Sequence, residues 1–117
     1  MRMWMVSPKL LCDKHLLGEH GEIHKHRHVF EKGWSIEGRI IGDPQIEPLS
    51  MKIRHDELAE EMLARNMNHK SPYYMPDLSK YDAKVLSRAV VDKVKAYVDL
   101  ISRCSNCYRI GVANGKV

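Results

Sequence analysis

Asp13-Lys14-His15-Leu16-Leu17-Gly18-Glu19-His20-Gly21-Glu22-Ile23-His24-Lys25-His26-Arg27-His28-Val29-Phe30-Glu31-Lys32 is the stretch on which the fold turns. At about 100° per residue, Leu16, Ile23 and Phe30 fall on one apolar stripe, the pattern of a helix that faces a core. The spacing predicts a helix over 13–32, stopped by Gly33. His15, Glu19, Glu22 and His26 share a narrow arc beside the stripe. His20, His24 and His28 recur at i, i+4 and i+8 and share another face. Gly18 and Gly21 each lower helix propensity by about 1 kcal/mol. They read either as places where a backbone or ligand comes close or as tolerated weak points.

On the N-terminal side lies a very short arm, Met1-Arg2-Met3-Trp4-Met5-Val6, then Ser7-Pro8, a cap and first turn or a kink before the main helix. Arg2 is a large second residue, so Met1 is expected to be retained and to carry the chain's α-amine. An α-amine titrates near 7.7–8.0, roughly two units below a lysine, so part of it is neutral and nucleophilic at physiological pH. Such an amine can attack a sugar C1′ or an aldehyde and form a Schiff base. A nearby carboxylate can stabilise the cationic intermediate and move protons. The first residue and the Glu19/Glu22 face are close in sequence, which makes this pairing the central chemical expectation.

On the C-terminal side, residues 33–49 read as a connector punctuated by Gly33, Gly38, Gly42-Asp43-Pro44 and Pro48, with Ile36, Ile40 and Ile41 as core anchors and no sheet. A second helix fits Ser50 to Arg65, with Met51, Leu58 and Met62 inside and Ala59 and Leu63 at the edge. Its solvated acidic face is Asp56, Glu57, Glu60 and Glu61, and Asn66 follows as a left-handed C′ residue. A loop over 67–80 precedes a third helix from about Tyr81 to Arg103, whose apolar arc is Leu86, Val90, Val94, Tyr97, Val98 and Ile101. The remainder, Cys104 to Val117, reads as a short basic tail. The expected fold class is all-α: a compact single domain, 1–117, of three helices with irregular connecting loops.

Composition fits this reading. With 117 residues, 44% hydrophobic and 29% charged, the chain can bury one modest core and is not of disordered composition. Net charge is +4 with a pI of about 9.0. Both ends are basic and the middle is acidic, so a basic face built from the two ends would suit nucleic acid. The three cysteines, an odd number, and the lack of a signal-peptide pattern suggest a reducing cytosol. No apolar run reaches membrane-spanning length.

Two motifs offer metal-ligand residue types. His20-Gly21-Glu22-Ile23-His24 offers imidazoles four apart, but the zinc-protease pattern needs Glu directly after the first His. Cys104-Ser105-Asn106-Cys107 is a single CxxC, and a structural zinc site needs two further ligands, which Cys12 and a histidine could supply in space. Neither motif is complete in sequence, and the expectation is no metal and no organic cofactor.

The residues carry a resemblance. Met1-Arg2, followed by Asp13-Lys14-His15-Leu16-Leu17-Gly18-Glu19-His20-Gly21-Glu22, resembles the opening signature of the pyrimidine-dimer DNA glycosylases, the small phage-type endonuclease V repair enzymes. Arg54-His55-Asp56-Glu57-Leu58-Ala59-Glu60, with Arg65, is similar to the family's second helix, Asn66 standing where glycine is usual. A looser likeness covers the helix ending at Arg103 and the Cys107-Tyr108-Arg109-Ile110-Gly111 tail. The resemblance implies a compact helical protein that kinks UV-damaged duplex DNA and flips out a base opposite the lesion. The N-terminal amine attacks C1′ of the dimer's 5′ pyrimidine, and the imine supports β-elimination. Carried over, Met1 is the nucleophile and Glu22 the catalytic carboxylate. Arg2, His15 and Lys25 fall at phosphate- or lesion-contacting places, with Tyr108 and Arg109 as further DNA contacts. Lys25 replaces an arginine and loses its bidentate fork. Gly21 replaces an arginine near the lesion, the aromatic-rich end is reduced to Tyr108, and the first connector is shorter.

The expected function is therefore a glycosylase with AP-lyase activity on damaged double-stranded DNA, acting as a monomer in the cytoplasm of a prokaryotic cell or virus-infected host. The alternatives are a non-catalytic module that grips bent or damaged DNA and a small zinc-stabilised protein.

Overall fold

The computed structural model describes residues 3–33, 35, 37–40, 42–69 and 72–116, the side chains of 37 and 39 excepted. Met1, Arg2, Ile36, Ile41 and Val117 lie outside the described residues. The first long helix, α1, spans Asp13–Lys32 and ends where Gly33 turns left-handed at φ 68°, the bounds the apolar spacing predicts. Leu16, Ile23 and Phe30 are each 0% exposed, so the stripe is the spine of the core. Ile23→Ala should lower the unfolding free energy by about 2–5 kcal/mol, the range for deleting a buried aliphatic side chain. Urea denaturation reads it, and a loss below about 1 kcal/mol would contradict the stripe's role. Gly18 and Gly21 have no atom within 4 Å of an added Cβ, so neither marks a close approach of another part of the protein.

The connector contains a short helix, α2 (Glu37–Ile40), and a single 3-10 turn at Pro48–Ser50; Ile40 is buried as expected. Ahead of α1, Pro8–Leu10 forms another 3-10 turn. Helix α3 spans Met51–Ala64 and packs against α1; Leu58 and Met62 are buried, while Leu63 is exposed. Asn66 takes the left-handed conformation the sequence suggests, at φ 62°.

The third predicted helix is corrected. It is two helices, α4 (Ala83–Arg88) and α5 (Lys93–Arg103). The break lies at Ala89–Asp92, where the Val91 amide donates to the buried Glu47 carboxylate at 2.9 Å instead of continuing a helix. Asp92 then caps α5 by accepting from the Lys95 amide at 3.1 Å. Val90, Val94 and Val98 are more than half exposed, so the continuous buried arc expected there does not form. Val94 and Val98 border a groove of about 570 Å³ beside Met5 and Val6.

The basic tail is corrected too. Ser105–Ala113 is a helix, α6, packed back on α5 and on the 3-10 turn that precedes α1. Cys104 ends α5 and caps α6, its Sγ accepting from the Cys107 amide at 3.4 Å. The architecture is all-helical, with no strand among the described residues, but with more segments than the three expected. Among the described residues no helix is long and apolar enough to cross a membrane.

Candidate active site

The N-terminal arm reaches the core before α1 begins. Met3 is fully buried, its amide donating to the Gln45 carbonyl at 2.8 Å and its sulfur accepting from the Glu47 amide at 3.3 Å. Met5 takes a positive φ of 59°, which bends the arm into Val6. Met3 is thus the anchored start of the described arm, and Met1 and Arg2 lie outside the described residues.

Arg54 of α3 fixes this arrangement. Its guanidinium donates to both Glu19 oxygens, at 2.5 and 2.9 Å, and to the Val6 carbonyl at 2.6 Å. Arg54 and Glu19 are each 2% exposed. A planar fork is the group that can bind a carboxylate bidentately and still reach a third acceptor. One side chain thus ties α1, α3 and the arm together. Arg65 repeats the device at the other end of α3. It donates to Asp13 at 3.0 Å, Glu61 at 2.8 Å, and the Pro8 and Leu11 carbonyls at 3.1 and 2.8 Å. Sequence reading placed both arginines in a motif but did not see them as clamps.

Glu22 is buried on the same flank of α1 as Glu19, with the His26 Nε2 at 3.6 Å. The two glutamates differ in occupation: Glu19 is held by Arg54, whereas Glu22 has the His26 imidazole beside it. Lys25 is exposed on α1, and Tyr108 (46% exposed) and Arg109 are exposed on α6. Arg109 lines, with Lys14, Arg65 and Asp13, a depression of about 560 Å³ at the start of α1, so basic residues from both ends of the chain meet there.

His15 is half-buried, and its Nδ1 faces the Cys12 sulfur at 3.2 Å and the Cys107 sulfur at 3.6 Å. The Cys12 and Cys104 sulfurs are 3.8 Å apart, and the Cys12 amide donates to the Cys107 sulfur at 3.3 Å. All three thiols are free. Burial pushes the Cys107 thiol up to about 12. Burial also works to raise Cys104, but hydrogen bonds from the Cys107 and Asn106 amides and the neighbouring thiols outweigh it and hold Cys104 below its usual value.

On the other flank of α1, His20 and His24 meet His55 of α3 and His69. The Nε2 atoms of His20 and His55 are 3.1 Å apart, those of His55 and His24 3.1 Å, and those of His69 and His20 2.9 Å. His55 is buried, and its Nδ1 lies 3.0 Å from an Asp56 oxygen. Burial, then the three neighbouring imidazoles, lowers His20 to about 4, and burial likewise lowers His24. The four-residue spacing of His20 and His24 was legible in sequence. His55 and His69 carried no signal that they would join them, and His28 stays exposed outside the group.

A family model described as pyrimidine dimer DNA glycosylase matches residues 1–75. The chain belongs to the pyrimidine dimer DNA glycosylase family. Membership makes it a DNA repair protein of the glycosylase class, with DNA as its substrate. No curated protein and no solved structure matches the chain. The glycosylase match takes in the arm, α1, α3, both arginine clamps and the four clustered histidines. Cys104, Cys107, Tyr108 and Arg109 lie beyond it.

Proposed function

We propose that the protein excises UV-induced pyrimidine dimers by a Schiff-base mechanism and then cleaves the strand as an AP lyase. The observation that carries this reading is the family match over residues 1–75, which spans Met1, Arg2 and Glu22. The Met1 α-amine attacks C1′ of the dimer's 5′ nucleotide. The new N–C1′ bond replaces the glycosidic bond, and the pyrimidine leaves, taking up a proton. The sugar ring opens to a protonated imine. Loss of a C2′ proton then expels the 3′ phosphate by β-elimination, and water releases the amine. Glu22 balances the iminium charge and carries protons between these steps. Its freedom from the arginine that holds Glu19 supports that assignment.

The DNA must be kinked and a base extruded, at a cost of a few kcal/mol. Lys25, Arg109, Tyr108, Arg2 and the depression beside Lys14 are the contacts we assign to offset it. Binding through such cations weakens steeply as salt rises.

Borohydride trapping tests the reading. The untagged protein, incubated with a dimer-containing or abasic duplex and reduced, should yield one covalent adduct, and peptide mapping should place it on Met1. An N-terminal tag left in place should abolish both adduct and cleavage. Binding without any adduct, in protein with a verified free Met1 amine, would identify a non-catalytic binding module and sink the mechanism.

A further inference from the structure

The geometry points to two metal sites outside the proposed chemistry, zinc being the ion that suits both. One is formed by Cys12, His15, Cys104 and Cys107, the other by His20, His24, His55 and His69. In each set the four ligand atoms lie within 4.8 Å of one another.

Three edges of the sulfur site come close to those of a zinc tetrahedron. Zinc bonds of about 2.3 Å to sulfur and 2.0–2.1 Å to nitrogen imply edges of about 3.8 Å between sulfurs and about 3.6 Å between sulfur and nitrogen. The Cys12–Cys104 edge is 3.8 Å, and His15 Nδ1 stands 3.2 and 3.6 Å from Cys12 and Cys107. A disulfide would need sulfurs at about 2.05 Å. Both ligand pairs, Cys12-x-x-His15 and Cys104-x-x-Cys107, sit at the start of a helix, and main-chain amides donate to the sulfurs at 3.3 and 3.4 Å. Main-chain donors to sulfur are compatible with metal-bound thiolate, the form that ligates zinc. Four protein ligands leave no open position, which marks a structural site. Its effect is to staple α1, within the family-matched part, to α6 beyond it.

The histidine site rests on different evidence. A ring nitrogen either donates one proton or offers one lone pair. Yet His20 Nε2 sits at hydrogen-bond distance from both His55 and His69, and His55 Nε2 from both His20 and His24. The three contacts cannot all be hydrogen bonds: pairing His55 with His24 and His20 with His69 uses all four atoms and leaves the 3.1 Å His20–His55 contact without a shared proton, whereas one cation accounts for all three by taking four lone pairs. The three contacts of 2.9–3.1 Å need to open by only a few tenths to reach the roughly 3.3 Å edge of a zinc tetrahedron, and all four ligand atoms lie within 4.8 Å of one another. Asp56 accepting from His55 Nδ1 at 3.0 Å is the carboxylate–histidine–metal arrangement that fixes the tautomer with Nε2 toward the ion.

Cobalt titration of the full-length, reduced, metal-stripped protein tests both sites without reference to DNA cleavage. Thiolate-to-cobalt charge transfer should saturate at one equivalent, and tetrahedral ligand-field absorption should reach its limit at two. Elemental analysis of protein purified without chelator should show two zinc ions per chain, and chelation should lower the melting temperature. Cys107→Ser should remove one ion and the charge-transfer band; His24→Gln should remove one ion and keep the band. If a variant does not fold, the wild-type titration still decides. One equivalent with charge transfer overturns the histidine site, and one equivalent without it overturns the sulfur site. No stoichiometric binding overturns both.

Discussion

Glu22→Gln should lower turnover on dimer-containing DNA by about 10²–10⁴-fold, the contribution typical of a positioned proton-transferring group. Duplex binding should be little changed. The substitution keeps the shape of a buried side chain and removes only its charge and its basicity. The amide still fits beside His26, which lies 3.6 Å from the carboxylate, so the helix has no reason to move. What is lost is the negative charge facing the iminium and the acceptor for the protons that the sugar releases. Single-turnover cleavage together with equilibrium binding on the same duplex reads both quantities. Full activity in the variant would refute the assigned role. Glu19→Gln provides the contrast. That carboxylate is committed to Arg54, so its loss should appear in unfolding before it appears in the chemical step.

Arg54→Met should destabilise the fold by about 3–5 kcal/mol, the cost of breaking a buried ion pair by removing one partner. Stability in domains of this kind is about 5–15 kcal/mol, so much of the margin disappears. Three bonds go at once: two to Glu19 and one to the Val6 carbonyl. Glu19 is left buried without its partner. Adding Glu19→Leu should recover a large part of the loss, because two apolar groups of similar volume no longer need each other's charge. Urea unfolding of the two single variants and the double variant forms the cycle. Additive losses would mean that the pair is not coupled. Because Arg54 also holds the arm, the single variant should trap less DNA even when it is folded, while the depth of the Glu22 effect is retained.

Much of the scaffold was legible in the residues. The Leu16–Ile23–Phe30 period defines α1, Gly33 and Asn66 end their helices as their backbone freedom suggests, and the inner face of α3 reads directly. The opening motif pointed to the family that the match over residues 1–75 establishes. The break between α4 and α5 has no local signal, because the apolar spacing continues through Val90 while the chain's path there is set by Glu47, 44 residues away from Val91. Helix α6 is hard to see in sequence because it starts on a cysteine cap, a weak signal beside Ser, Thr, Asp or Asn.

Sequence by itself determined that α1 and α3 are helical, which face of each turns inward, and which family the chain resembles. These are local properties, fixed by periodicity, by caps and by a contiguous motif. Only the tertiary structure decided how the polar residues are shared out. It gave Glu19 to Arg54 and left Glu22 to His26, a choice that helical spacing could not make because both lie on one arc. It also gathered His55 and His69 with His20 and His24, and Cys104 and Cys107 with Cys12 and His15. Side chains brought together across tens of residues have no period to read. Their meeting depends on how α1, α3 and α6 pack, and packing is where a motif in the opening stretch becomes a site.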